Sequence, residues 1–169
     1  DVRANQIAHR LLDSGVGHGD RVALVLPNTL TAIELMCGAA RAGAVIVPIS
    51  SRLSADEVSY ILSDATPRMV FGDSSAAPFA LPLDTHYLCA TDPSFDRWRE
   101  AGKKTNPQAP YCEDLVLGYT SGTTGYPKGA IGTQSAVITG SGLMTAIEYG
   151  FTETDVLLIT SPIAHRVGL

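Results

Sequence analysis

Apolar positions change period along the chain, and each change marks an element. Residues 2–14 place Ala4, Ile7, Ala8, Leu11 and Leu12 at helical spacing, with Gly15 as the stop. Arg21-Val-Ala-Leu-Val-Leu26 is then continuous and apolar, the signature of a strand buried on both faces. A second helical pattern runs from Thr29 to Ala42. It predicts Ile33, Met36, Cys37 and Ala40 on the inward face and a Thr31–Glu34 capping box. Gly43 ends it, and Ala44 to Pro48 reads as the next strand.

Ser54-Ala-Asp-Glu57 is a stronger capping box. It opens a helix through Asp64, with Val58, Ile61 and Leu62 inward and Pro67 beyond. Strands are predicted at Arg68–Phe71 and Thr85–Ala90. One or two helical turns follow at Asp96–Glu100, then an exposed connection over Lys103–Pro110. Leu115–Tyr119 and Lys128–Thr133 read as two strands joined by a tight projecting turn, with the acidic pair Glu113-Asp114 on the surface before them. A helix over Thr133–Tyr149 contains Gly140 and Gly142, each costing about 1 kcal/mol relative to Ala. A turn at Thr152–Asp155 and a last strand at Asp155–Thr160 complete the reading. Strands alternating with helices predict an α/β fold with a mainly parallel sheet flanked by helices.

The joining turn carries the chemistry. Tyr119-Thr-Ser-Gly-Thr-Thr-Gly-Tyr-Pro-Lys-Gly129 holds three glycines, four hydroxyls and one lysine. Gly122, Gly125 and Gly129 can take positive φ, so successive N–H groups can converge into an anion-binding nest. Thr120, Ser121, Thr123 and Thr124 add hydroxyl donors, and Lys128 adds a point charge. One Lys–phosphate pair at about 4 Å is worth roughly 4 kcal/mol before desolvation. The stretch is not a Walker A loop, because Pro127 precedes the lysine, and it lacks G-x-G-x-x-G. A plain flexible linker would not need tyrosines, proline and lysine at fixed places between two apolar runs.

Composition narrows the classes. The chain has 169 residues, a net charge of −5 and no basic cluster, which argues against nucleic acid as a partner. Cys37, Cys89 and Cys112 form no C-x-x-C pair, which points to a reducing, cytoplasmic compartment. No apolar run approaches 18 residues, so no membrane span is expected. His9, His18 and His86 show no metal-ligand spacing, so no metal site is predicted, and no G-x-S-x-G elbow supports a serine hydrolase. Both ends read as cut from a longer protein: the first residues already look mid-helix, and the last follow a motif directly.

The signature resembles Y-T-S-G-T-T-G-x-P-K-G of the adenylate-forming (AMP-binding) superfamily, at every fixed position. The likeness extends along the chain through Gly19-Asp-Arg-Val-Ala23, Pro27-Asn28, Ala42-Gly-Ala44 and Val47-Pro48, which are read as scaffold. It continues through Leu53, Glu57, Tyr60, Ile61, Leu62 and Asp64. Ser161-Pro-Ile-Ala-His165-Arg-Val-Gly-Leu169 is similar to a later family motif, in register at Pro162, His165 and Gly168. Gln134 stands where the family often has His, and Ala164 and Arg166 depart from the usual pattern near His165.

The resemblance implies an acyl-CoA synthetase-like fold, with residues 1–169 as part of its N-terminal domain and the remainder downstream. It implies ATP, Mg2+ and CoA as cofactors and a fatty or aryl acid as substrate. Thr120, Ser121, Gly122, Thr123, Thr124, Gly125 and Lys128 would bind the nucleotide phosphates. Lys128 would serve the departing pyrophosphate, and His165 would lie on the acyl and thiol side. Residues 1–169 by themselves are not expected to turn over. Two other readings stay open: an adenylation domain loading a carrier protein, and a non-catalytic phosphate-binding module.

Overall fold

The structure, a computed structural model, describes residues 1–74, 79–120, 126–156, 158 and 160–164. Helix α1 (Val2–Asp13) ends at Ser14, and Gly15 follows with φ +79°. Strand β1 (Arg21–Val25), helix α2 (Leu30–Arg41), strand β2 (Val45–Ile49), helix α3 (Ala55–Ala65) and strand β3 (Met69–Gly72) follow in turn. Next come strand β4 (His86–Cys89), helix α4 (Pro93–Glu100), and strands β5 (Asp114–Thr120) and β6 (Lys128–Thr133). A helix over Ser135–Leu143 with π-type hydrogen bonding leads into α5 (Met144–Tyr149). The single helix expected from Thr133 therefore divides. Gly140 and Gly142 lie in its first part, where they weaken the preference for α geometry.

The strands form one sheet in the order β4-β3-β1-β2-β5-β6. All neighbours are parallel except β5 and β6, which are antiparallel. Alternation along β1 separates two cores. Val22 and Leu24 face Ile7 and Leu11 of α1, Leu35 and Ala39 of α2, and Phe95 of α4. Ala23 and Val25 face Val58, Ile61 and Leu62 of α3.

The expected face of α2 is corrected. Ala32, Leu35, Gly38 and Ala39 are buried, whereas Ile33 is 41% exposed and Cys37 is also exposed. Gly38 lets α1 approach closely, since a Cβ there would stand 2.4 Å from Ile7 Cγ2. The N-cap is Thr29, whose hydroxyl accepts from Ala32 N; Glu34 instead pairs with Arg3 and Arg99. The box at Ser54 and Glu57 forms as expected.

The last expected strand is not present in the described part of residues 155–160. Val156 and Leu158 are 96% and 87% exposed. An apolar run takes up strand pairing only where a neighbouring ladder receives its N–H and C=O groups. The turn before it does form, with Thr152 N donating to Asp155 Oδ2. Glu113 is half-buried rather than free on the surface, and its carboxylate accepts from Ser135 N at the start of the next helix.

Candidate phosphate site and adjoining cleft

The antiparallel β5–β6 pair holds the two ends of the signature side by side, opposing Thr120 to Lys128 and Tyr119 to Gly129. Because β5 runs parallel to β2, Thr120 lies at the edge of the sheet where β1 and β2 end. Both Thr120 and Lys128 are exposed. Ser121, Gly122, Thr123, Thr124 and Gly125 lie outside the described residues, as does His165. The expectation for Gly129 is corrected. It sits in β6 without positive φ, and a Cβ there would meet Leu117 Cδ1 at 2.9 Å and the Tyr119 ring at 3.3 Å. Its small size serves packing of the Tyr119 ring, not a left-handed turn.

Tyr119 points to α3, where its hydroxyl donates to Asp64 Oδ2 at 2.5 Å. Burial, followed by that hydrogen bond and the charge of Asp64, pushes the phenol above its ordinary value, so it stays a donor at neutral pH. The C-terminal end of α3 is closed by Arg21. Its guanidinium donates to Ala65 O at 2.9 Å and to Thr66 Oγ1 at 2.8 Å, while Thr66 takes a left-handed φ of 43°.

A second feature lies at the same sheet edge. The connection after β1 leads to α2 on one face, and that after β2 leads to α3 on the other. Such a switch point leaves a crevice at the strands' carboxyl ends. Here it is a cleft of about 330 Å³ lined by Leu26, Pro27, Asn28, Ser50, Ser51 and Arg52, with Thr160, Pro162 and Ala164. Asn28 ties the segment before His165 to this edge. Its Nδ2 donates to Ser161 O at 2.9 Å, and its Oδ1 accepts from Ile163 N at 2.8 Å. Sequence reasoning took Asn28 as scaffold and passed over Arg52; the Pro-Asn step directly after a buried strand was the available signal.

Among the described residues, no group of three or more His, Cys, Asp or Glu side chains is placed to hold a metal ion. No helix among them is long and apolar enough to cross a membrane.

A family model described as AMP-binding enzyme matches residues 1–169. The chain belongs to that family. FadD13, a long-chain-fatty-acid–CoA ligase of Mycobacterium tuberculosis, is 36% identical over 179 residues, covering 98% of this chain and 35% of FadD13. ScoC of Streptomyces coeruleorubidus, a fatty acid–[acyl-carrier-protein] ligase, is 37% identical over 137 residues, covering 76% of this chain and 26% of ScoC. ATP-bound MatB from Rhodopseudomonas palustris superposes with a TM-score of 0.85 at 27% identity, over 99% of this chain and 35% of MatB. The chain thus spans about a third of the length of FadD13 and of MatB.

Proposed function

We propose that the protein carrying this chain activates a carboxylic acid with ATP and passes the acyl group to the thiol of CoA. Residues 1–169 would be the front of its N-terminal domain, with no turnover of their own. The observation that carries this is the signature hairpin at the carboxyl edge of a parallel sheet, where Thr120 opposes Lys128. The similarity to FadD13 supports a fatty acid as substrate. The acid's carboxylate oxygen attacks the α-phosphorus of ATP, the bond to the bridging oxygen breaks, and pyrophosphate leaves. The CoA thiolate then attacks the acyl carbonyl and AMP departs.

Thr120 and Lys128, with Ser121, Gly122, Thr123, Thr124 and Gly125, would hold the β- and γ-phosphates. Lys128 stands at the start of β6 opposite Thr120, so its backbone is placed by strand pairing, and its ammonium would offset the negative charge that develops on the leaving group. Mg2+ would screen the phosphate charge. It would be held mainly by nucleotide oxygens and water. His165 would lie on the acyl and thiol side, as the resemblance to the family implies. The unpaired Cys37, Cys89 and Cys112 support a reducing, cytoplasmic location.

The similarity to ScoC favours one second reading, transfer to a carrier-protein thiol. ATP–pyrophosphate exchange on the full-length gene product, with fatty, aryl and amino acids, tests both. Exchange followed by CoA thioester supports the first reading. Exchange with transfer only to a carrier protein replaces it with the second. No exchange with any acid removes both.

A further inference from the structure

Both sides of the signature are fastened to one helix, through Tyr119 of β5 and through Tyr126 just before β6. Tyr60 and Asp64 are one turn apart on α3, spacing that puts both on the same face. Asp64 accepts from the hydroxyl of Tyr119, the residue before Thr120. The ring of Tyr60 stacks on Tyr126, two residues before Lys128, with centroids 4.8 Å apart and planes 22° apart. Tyr119 further packs across Gly129. The same helix is fixed at its start by the Ser54–Glu57 box, at its end by Arg21, and along its length by Val58, Ile61 and Leu62.

We infer that Tyr60 and Asp64 are positioning residues that set where Thr120 and Lys128 stand for the nucleotide phosphates. The inference rests on the proposed reading that this signature binds ATP. A hydrogen bond and an aromatic stack grip opposite shoulders of the hairpin, so losing either lets one shoulder shift while the other holds. Neither contact lies in the two main cores: Asp64 is exposed, and Tyr60 and Tyr119 lie at the rim of the α3 core. Removing them therefore affects the shoulders more than the fold. Tyr126, although largely exposed, has its ring face ordered by Tyr60.

The test uses the full-length protein with Tyr60→Ala, Tyr60→Phe, Asp64→Ala, Tyr119→Phe and the Asp64→Ala/Tyr119→Phe double variant. Two readouts are taken: KM for ATP and for the acid in pyrophosphate exchange, and hydrogen exchange of the amides of Thr120 and Lys128. The expected result is a rise of about threefold to tenfold in KM for ATP in Tyr60→Ala, Asp64→Ala and Tyr119→Phe, the scale of one lost contact. KM for the acid stays unchanged, Tyr60→Phe restores wild-type behaviour, and the double variant is no worse than either single one. Amides at Thr120 and Lys128 exchange faster, while those of β1–β3 stay protected and show that the fold is intact. Unchanged exchange at Thr120 and Lys128 overturns the inference, as does faster exchange with wild-type KM for ATP. A wild-type protein without pyrophosphate exchange removes the ATP reading instead; the amide data then still decide whether α3 holds the hairpin.

Discussion

Asn28 and Ile163 are 135 positions apart in the chain, yet the Asn28 carboxamide accepts from the Ile163 amide at 2.8 Å. The same side chain donates to Ser161 O, so one exposed asparagine after β1 holds the stretch around Ile163, which among the described residues of 152–164 is the one that reaches the core. Ile163 is buried against that core. Asn28→Ala is expected to release Ser161–Ile163, with a cost of about 1 kcal/mol for two partly solvated hydrogen bonds. Amide exchange at Ile163 should accelerate well beyond the change in global stability. Unchanged protection at Ile163 would show that packing alone holds the segment.

Lys128 is exposed and stands opposite Thr120, away from both cores. Lys128→Ala should therefore leave the melting temperature nearly unchanged, as for most surface substitutions. With Lys128 in the proposed role at the departing pyrophosphate, the substitution is expected to lower pyrophosphate exchange by about a hundredfold. Wild-type exchange in this variant would remove Lys128 from the mechanism. A large fall in melting temperature would mark it as structural.

Much of this architecture was legible because parallel strands are buried on both faces. Val22–Val25 and Val45–Ile49 have no polar side to confuse the reading, and the Ser54–Glu57 box carries its own geometry. The face of α2 was not legible, since LTAIELMCGAAR offers an apolar stripe in nearly every direction. The choice of Leu35 over Ile33 came from Gly38, whose missing side chain lets α1 settle on that face. The signature was plain from residue types, but its fastening was not. Tyr60 and Asp64 lie 55 or more positions from the rings and hydroxyls they meet, and no local period reports a contact of that kind.

Arg99 was equally hidden. It is 7% exposed and sits over the Phe95 ring, with its guanidinium 2.9 Å from Asp96 and 3.9 Å from Glu34. Glu34 Oε2 and Arg99 Nε have no hydrogen-bond partner, so the buried pair is held by charge rather than by directed bonds. Arg99→Ala removes one of two cations at Glu34, which keeps Arg3, together with the buried side chain over Phe95, and should cost about 2 kcal/mol in urea unfolding. Arg99→Met with Glu34→Gln removes both charges and keeps the volume, and it should recover most of that loss. Equal destabilisation by the double change would show that the charges, not the packing, hold α4 against α2.

The capping box of α3 gives the fold a local acid sensitivity. Ser54 N and Ser54 Oγ both donate to Glu57 Oε2 at 2.8 Å, and Glu57 N donates back to Ser54 Oγ. The hydrogen bonds from the Ser54 backbone and then from its hydroxyl hold the Glu57 carboxyl below its ordinary value. A folded pKa that is depressed adds stability above the unfolded value, and that stability is lost as pH falls through the folded value. Protection of the Ser54 amide should therefore be constant from neutral pH down to the ordinary glutamate range and decline below it. Glu57→Ala should show low protection throughout and no such decline. The consequence reaches the hairpin, because α3 carries Tyr60 and Asp64 as well as this cap. If fraying at Ser54 stays local, acid will expose the first turn and leave the amides of Thr120 and Lys128 unchanged. If those amides loosen over the same pH range, the cap and the hairpin act as one unit through α3.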